Sequence, residues 1–128
     1  MTIKSSKSLV AEALKVVKTI SAKEALELAN KNECNLIDIR DAVELNSIGK
    51  IENSFHVSRG LLEFSIHPDS PFVQNNEIDL NKEIVLFCAA GGRSALAAQT
   101  LKEMGFENVS HVDGGFSSMQ ISGFKVIK

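Results

Sequence analysis

The residues best placed to do chemistry lie in one stretch, Phe87-Cys88-Ala89-Ala90-Gly91-Gly92-Arg93-Ser94. Cys88 supplies a sulfur nucleophile, which acts as the thiolate. Gly91 and Gly92 permit positive φ, so the chain between Cys88 and Arg93 can curl and turn its amides inward. Inward amides form a nest that holds an anion. A helix-like run from Arg93 to Met104 follows, whose N-terminus adds free N–H groups and the positive end of its dipole. Arg93 contributes a fixed cation. Each of these favours the thiolate over the thiol. The bland alternative is a small hydrophobe closing a buried strand; the Gly-Gly-Arg-Ser that follows favours the nucleophile. Cys88 is therefore the candidate catalytic residue, and Ala89, Ala90, Gly91, Gly92, Arg93 and Ser94 the candidate anion-binding loop. Arg59, before Gly60, is the candidate second cation at the pocket mouth, with a solvated surface arginine as the competing reading.

The surrounding pattern predicts what positions this loop. Ile84-Val85-Leu86-Phe87 is apolar at every position, which predicts a strand covered on both faces. Leu36 to Ile39 and Val109 to Val112 are further strands. The spacing predicts a helix over 9–17, with Leu9, Val10, Ala13, Leu14 and Val17 on one face. Ser21-Ala-Lys-Glu24 is a capping box opening a helix to about Asn30. Residues 41–48 form a short helix closed by Gly49, and 51–57 an extended or irregular stretch. A helix over 60–66 is broken by His67-Pro68-Asp69-Ser70-Pro71, and 72–82 carry no clear pattern. The helix over 93–104 has Leu96, Ala97, Thr100, Leu101 and Met104 along one stripe, with Gly105 as its stop. Gly114-Gly115 begins a last short helix, and 124–127 close the chain. Alternating strands and helices imply an α/β fold, a parallel sheet with helices on both faces. Such sheets bind ligands beyond the carboxyl ends of their strands, where Cys88 stands.

Composition excludes several functions. The 128 residues make one domain, with 44% hydrophobic and 23% charged residues and a net charge of -2. That balance gives no electrostatic reason to bind nucleic acid or an anionic membrane. No apolar run approaches the length of a membrane span. Residues 1–11 lack the apolar run and cleavage site of a secretory signal and the arginines usual in an organelle presequence. Two cysteines are too few for a disulfide framework, and a reducing cytoplasm is the expected compartment. Cys34 reads as packing or an inert free thiol. His56, His67 and His111 have no ligand spacing, so no metal is expected. Phe64 and Phe72 read as core packing, or as a roof to the pocket.

From about Ser21 to the C-terminus the chain resembles a single-domain rhodanese-like protein. Cys88 to Ser94 resembles that family's active loop, Cys-x-x-Gly-x-Arg-Ser. Leu36-Ile-Asp38-Ile-Arg40-Asp-Ala-Val-Glu44 is similar to its first signature. Gly49 to His56 stands in the place of its Gly-His-Ile-Pro-Gly-Ala stretch, keeping only the Gly and the Ile. Asp113-Gly114-Gly115-Phe116 resembles the terminal Gly-Gly motif, with Met119 where Trp is usual. The division that follows is an N-terminal helical extension over 1–20 and a rhodanese-like domain over 21–128.

The resemblance implies sulfur transfer through a Cys88 persulfide. The donor would be thiosulfate or a thiol persulfide, the acceptor cyanide, a thiol or a protein thiol, and no cofactor would take part. Asp38, Arg40 and Glu44 are read as an ion-pair and hydrogen-bond set bracing the loop. Phosphatases and arsenate reductases of similar fold carry five residues between Cys and Arg. This chain has four, and no acid in the loop to protonate an alkoxide leaving group. A persulfide carrier without turnover, or a regulatory binding module, are the remaining alternatives.

Overall fold

In the computed structural model, which describes residues 2–128, strand β5 (Glu83–Phe87) is buried at its last four positions. The pleat sends Ile84 and Leu86 to one face and Val85 and Phe87 to the other, so each face needs its own cover. β5 is the middle of a five-stranded sheet. The order is β1 (Lys18–Ile20), β6 (Val109–Val112), β5, β2 (Cys34–Asp38), β4 (Phe55–His56), with every pairing parallel. On one face Ile84, Leu86 and Cys88 pack with α4 (Leu62–Ile66), α5 (Pro71–Gln74) and α6 (Gly92–Met104). On the other, Val85 and Phe87 pack with α2 (Ala22–Asn30) and α7 (Gly115–Ile121). The fold is the α/β sandwich expected. An antiparallel pair, β3 (Lys50–Ile51) with β7 (Val126–Ile127), flanks it. Two further helices, α1 (Ser6–Leu14) and α3 (Ala42–Ile48), and a 3-10 turn at Arg59–Leu61 complete the described chain. Among the described residues no helix is long and apolar enough to cross a membrane.

Connectivity locates the site. The chain leaves β5 toward β6 on one side and leaves β2 toward β4 on the other. Neighbouring parallel strands whose connections diverge open a crevice at their carboxyl ends, the usual ligand position in such sheets. Cys88 stands at the end of β5 on that crevice, and Ile39 to Asp41 at the end of β2. The Ile39 amide donates to the Phe87 carbonyl at 3.0 Å, which holds the two strand ends in register.

Several elements differ from the sequence expectation. Lys18–Ile20, which carried no assignment and lies within the expected 1–20 extension, is an edge strand of the main sheet; three residues are too few for a periodic signal. Helix α1 begins earlier and ends at Leu14, because Ser5 caps it by accepting from the Ser8 amide at 3.0 Å. Its buried residue is Ala13, while Leu9 and Leu14 are exposed. In α6 the buried face is Ser94, Ala95, Ala97, Ala98 and Leu101, and Met104 is exposed. The expected stripe is thus rotated, since α6 is covered by the sheet on one side and by α1 on another, and alanines allow both approaches. The expected break at 67–71 contains a helix start: Ser70 accepts from the Val73 amide and Pro71 takes the first helical position. Phe72 packs edge-to-face on Phe55 at 5.0 Å, whereas Phe64 is exposed.

Candidate active site

The loop after β5 wraps the Cys88 sulfur with backbone. The Gly91 amide donates to Sγ at 3.1 Å and the Ser94 amide at 3.4 Å. Both contacts follow from the turn. Gly91 is the N-cap of α6 in the left-handed region, at φ 112°, where a side chain would be strained. That turn points its own amide and the first turn of α6 back at the sulfur. Gly92 and Arg93 open the helix, so their amides have no carbonyl partner within it and face the loop end free to meet an anion. Cys88 is 1% exposed, on the floor of the loop, while Ala90 is exposed at its crest.

A second turn seats the first. Gly114 and Gly115 both have positive φ, and the α7 amide of Phe116 donates to the Cys88 carbonyl at 2.8 Å, with Ser117 to Ala89 at 3.4 Å. A Cβ on Gly115 would run into the Cys88 carbonyl oxygen and lie 2.9 Å from the Ala89 carbonyl. Only glycine allows this approach, so the Gly114-Gly115 motif and the Cys88 loop are one packed unit.

The charged residues form two pairs rather than one set. Arg93 grips Glu44 with both terminal nitrogens, Nη1 to Oε2 at 2.8 Å and Nη2 to Oε1 at 3.0 Å. Glu44 also accepts from the Asp41 amide at 2.9 Å, closing the capping box of α3. The Arg93 hydrogen bonds, helped by the Asp41 amide and opposed by burial, hold the Glu44 carboxyl down at about 2, and Arg93 is raised in turn. Because the folded value is depressed, this stabilisation is complete above the ordinary carboxylate range and is lost as the pH falls through about 2.

The second pair is buried. Arg40 Nη2 meets Asp38 Oδ2 at 2.9 Å, with side-chain exposures of 1% and 0%. Arg40 also donates to the Gly49 carbonyl at 2.9 Å and stacks on the Phe116 ring at 4.2 Å. It thereby ties the end of β2 to the end of α3 and to the helix that seats the loop. Removing one partner of a buried pair strands the other charge, which costs about 3–5 kcal/mol. Arg40→Met is expected to lower unfolding stability by that amount in urea titrations, with Cys88 reactivity retained in the folded fraction.

Arg59 goes elsewhere. Its guanidinium pairs with Glu63 at 2.7 Å and reaches Thr100 Oγ1 at 3.3 Å, two turns along α6 from Arg93 and roughly 10 Å down the helix axis. The structure brings Cys88, the loop from Ala89 to Ser94, and Glu44 together; the Arg59 amide donates to the Ile39 carbonyl at the end of β2 at 3.0 Å, while its guanidinium turns along α6 to Glu63 and Thr100. Cys34 pairs with Glu83 at the opposite end of the sheet, five residues or roughly 16 Å along the strands from Cys88. A disulfide between them is out of reach. Burial, with Glu83 adding, pushes the Cys34 thiol up to about 11, so it is a poor nucleophile. A cleft of about 700 Å³ lies between α1 and the C-terminal end of α6, lined by Lys15, Val17, Lys102 and Phe106, with no thiol or hydroxyl among its lining residues.

One residue of this neighbourhood was passed over in the sequence. His111 on β6 is 1% exposed, its Nδ1 2.9 Å from Ser94 Oγ and its Nε2 2.8 Å from Thr19 Oγ1. Burial holds the ring below its ordinary value, against a weaker pull from Asp113, so it is neutral at pH 7. The available signal was Ser110-His111 inside a strand covered on both faces, where buried polar groups must find partners.

Known proteins are similar to this chain. The Rhodanese-like domain family model matches residues 21–122. The thiosulfate sulfurtransferase GlpE of Shewanella oneidensis is 30% identical over 101 residues, covering 79% of this chain and 90% of that protein. The structure of a Rhodopseudomonas palustris protein of unknown function, described as a possible tyrosine phosphatase, superposes with a TM-score of 0.84 at 37% identity, covering 99% and 98% of the two chains. The polysulfide-sulfur transferase homodimer of Wolinella succinogenes gives a TM-score of 0.73 at 34% identity, covering 94% and 85%. The family match runs through both the Cys88 loop and the glycine turn that seats it, and this chain belongs to the rhodanese-like domain family.

Proposed function

We propose that the protein is a sulfurtransferase that carries a sulfane sulfur on Cys88. The observation that carries this reading is the pair of amides, Gly91 and Ser94, aimed at one sulfur atom inside a four-residue loop. In the proposed cycle the Cys88 thiolate attacks the outer sulfur of thiosulfate or of a thiol persulfide. The S–S bond of the donor breaks, and sulfite or a thiolate leaves with the electron pair. The Cys88 persulfide then gives its terminal sulfur to cyanide or a thiol, and the Cys88 thiolate returns. Names of relatives support sulfur as the cargo: one is a thiosulfate sulfurtransferase and another a polysulfide-sulfur transferase. Intact mass after treatment with thiosulfate tests the reading, with one added sulfur expected, removable by cyanide. The same protein with p-nitrophenyl phosphate is expected to release no phosphate. Phosphate release without sulfur uptake would replace this reading with the phosphatase one.

The geometry also bears on the donor. Arg93 is engaged by Glu44 through two hydrogen bonds, and Ala89 and Ala90 carry no charge, so the loop offers a dianion amides but no uncompensated cation. A charge-assisted contact at a partly exposed mouth is worth roughly 0.5–2 kcal/mol. Thiosulfate should therefore bind weakly, with a high KM, and thiol persulfides should be used relatively better. Ala89→Arg is expected to lower the thiosulfate KM by about two- to thirtyfold, with a gain that shrinks at high salt. Steady-state kinetics with both donors at two ionic strengths measure this; saturation of the wild type by micromolar thiosulfate would contradict it.

A further inference from the structure

We infer that His111 is a positioning residue for the Cys88 loop, acting through the Ser94 hydroxyl. The inference takes from the proposed function only that Cys88 reacts as a thiolate. The alternating pleat of β6 turns His111, like Val109, toward the α6 face, away from Val112 on the α2 and α7 face. Among the described residues its ring is hydrogen-bonded to two hydroxyls: Thr19, its register partner on β1, and Ser94 in the first turn of α6. Ser94 is fully buried, and its Oγ lies 3.2 Å from the Gly91 carbonyl.

The Ser94–Gly91 hydrogen bond selects one arrangement of protons. A neutral ring has one N–H and one lone pair, and each hydroxyl has one proton. If Ser94 gives its proton to the Gly91 carbonyl, its oxygen accepts from Nδ1–H, and Nε2 accepts the Thr19 proton. Every group is then satisfied at once, an assignment made from the network. The chain of bonds ends on Gly91 and Ser94, the two residues whose amides donate to Cys88 Sγ. Fixing the Ser94 side chain on one side to Gly91 and on the other to a sheet strand fixes where both amides point. His111 touches neither Sγ nor the mouth of the loop; its effect on the sulfur passes through Ser94.

The test reads Cys88 alkylation by iodoacetamide at pH 7 by mass spectrometry, in a Cys34→Ser background, so it does not depend on sulfur transfer. His111→Leu fills the space without hydrogen bonds, and the alkylation rate of the folded protein is expected to fall about five- to tenfold. Ser94→Ala should fall by a similar factor. The two combined should fall no further, because they interrupt one path. His111→Asn and His111→Gln separate the two nitrogens. An asparagine amide stands where Nδ1 was and can still donate to Ser94; a glutamine amide stands where Nε2 was and reaches Thr19. Asn is expected to restore the rate to within about twofold of wild type and Gln is not. A folded His111→Leu protein alkylated at the wild-type rate, or losses that multiply in the double variant, would overturn the inference. Should His111→Leu fail to fold, equal rates for the Asn and Gln variants would overturn it.

Discussion

Cys88→Ser is expected to fold, to take up no sulfur from thiosulfate and to show no turnover above the uncatalysed reaction. An alcohol at this position is scarcely ionised at neutral pH and forms no persulfide, so both halves of the proposed cycle are lost. The fold should survive because Ser and Cys differ little in size and the Gly91 and Ser94 amides can donate to a hydroxyl oxygen as they do to Sγ. Cys34→Ser is the control. It stands at the amino end of β2, with its thiol pushed up to about 11 by burial, and should keep most of the turnover. Intact mass of each variant after thiosulfate, beside cyanide-dependent turnover, makes the measurement. Loss of turnover on the Cys34 change alone, in a folded protein, would show that the sulfur is carried elsewhere.

Lengthening the loop by one residue is the second large effect. Four residues, Ala89 to Gly92, separate Cys88 from Arg93. The near side is anchored, since the Cys88 and Ala89 carbonyls accept from Phe116 and Ser117. The far side is anchored too, by the Arg93 grip on Glu44 and by the turn at Gly91 against Gly114. A glycine inserted between Ala90 and Gly91 must therefore bulge at the exposed crest and swing the Gly91 amide off the sulfur. A hydrogen bond to a charged group is worth about 1.5–3 kcal/mol, so sulfur transfer should drop by roughly ten- to a hundredfold. Because Ala90 is exposed, Tm should change little. Unchanged thiosulfate turnover in the folded insertion variant would show that ring size does not set the chemistry.

The local pattern of the chain was enough for the fold class and for the conformation of the Cys88 loop. A fully apolar strand, a loop rich in glycine and ending in Arg-Ser, and a helix are short-range features, written in consecutive residues. The loop's conformation follows from them: Gly91 supplies the positive φ, and the helix that starts beside it supplies the amides. The capping box at Ser21 and Glu24 is local in the same sense.

What the chain's order did not show is pairing between residues far apart. Arg93 and Glu44 are forty-nine positions apart, and their grip leaves the loop without a free cation. Asp38, Arg40 and Glu44 read as one charged group in sequence, yet the first two pair in the core and the third turns out to α6. Arg59, before Gly60, reads as a cation at the mouth; in the fold its guanidinium pairs with Glu63 and reaches Thr100 along α6. Lys18–Ile20 becomes a strand only because β6 lies beside it, and His111 gains a role only because β1 and α6 bring hydroxyls to both of its nitrogens. Spacing along the chain encodes periodicity and turn chemistry, which act over a few residues. Which buried polar group satisfies which is decided by the crossovers of the sheet, and a buried charge or imidazole must accept whichever partner that topology delivers.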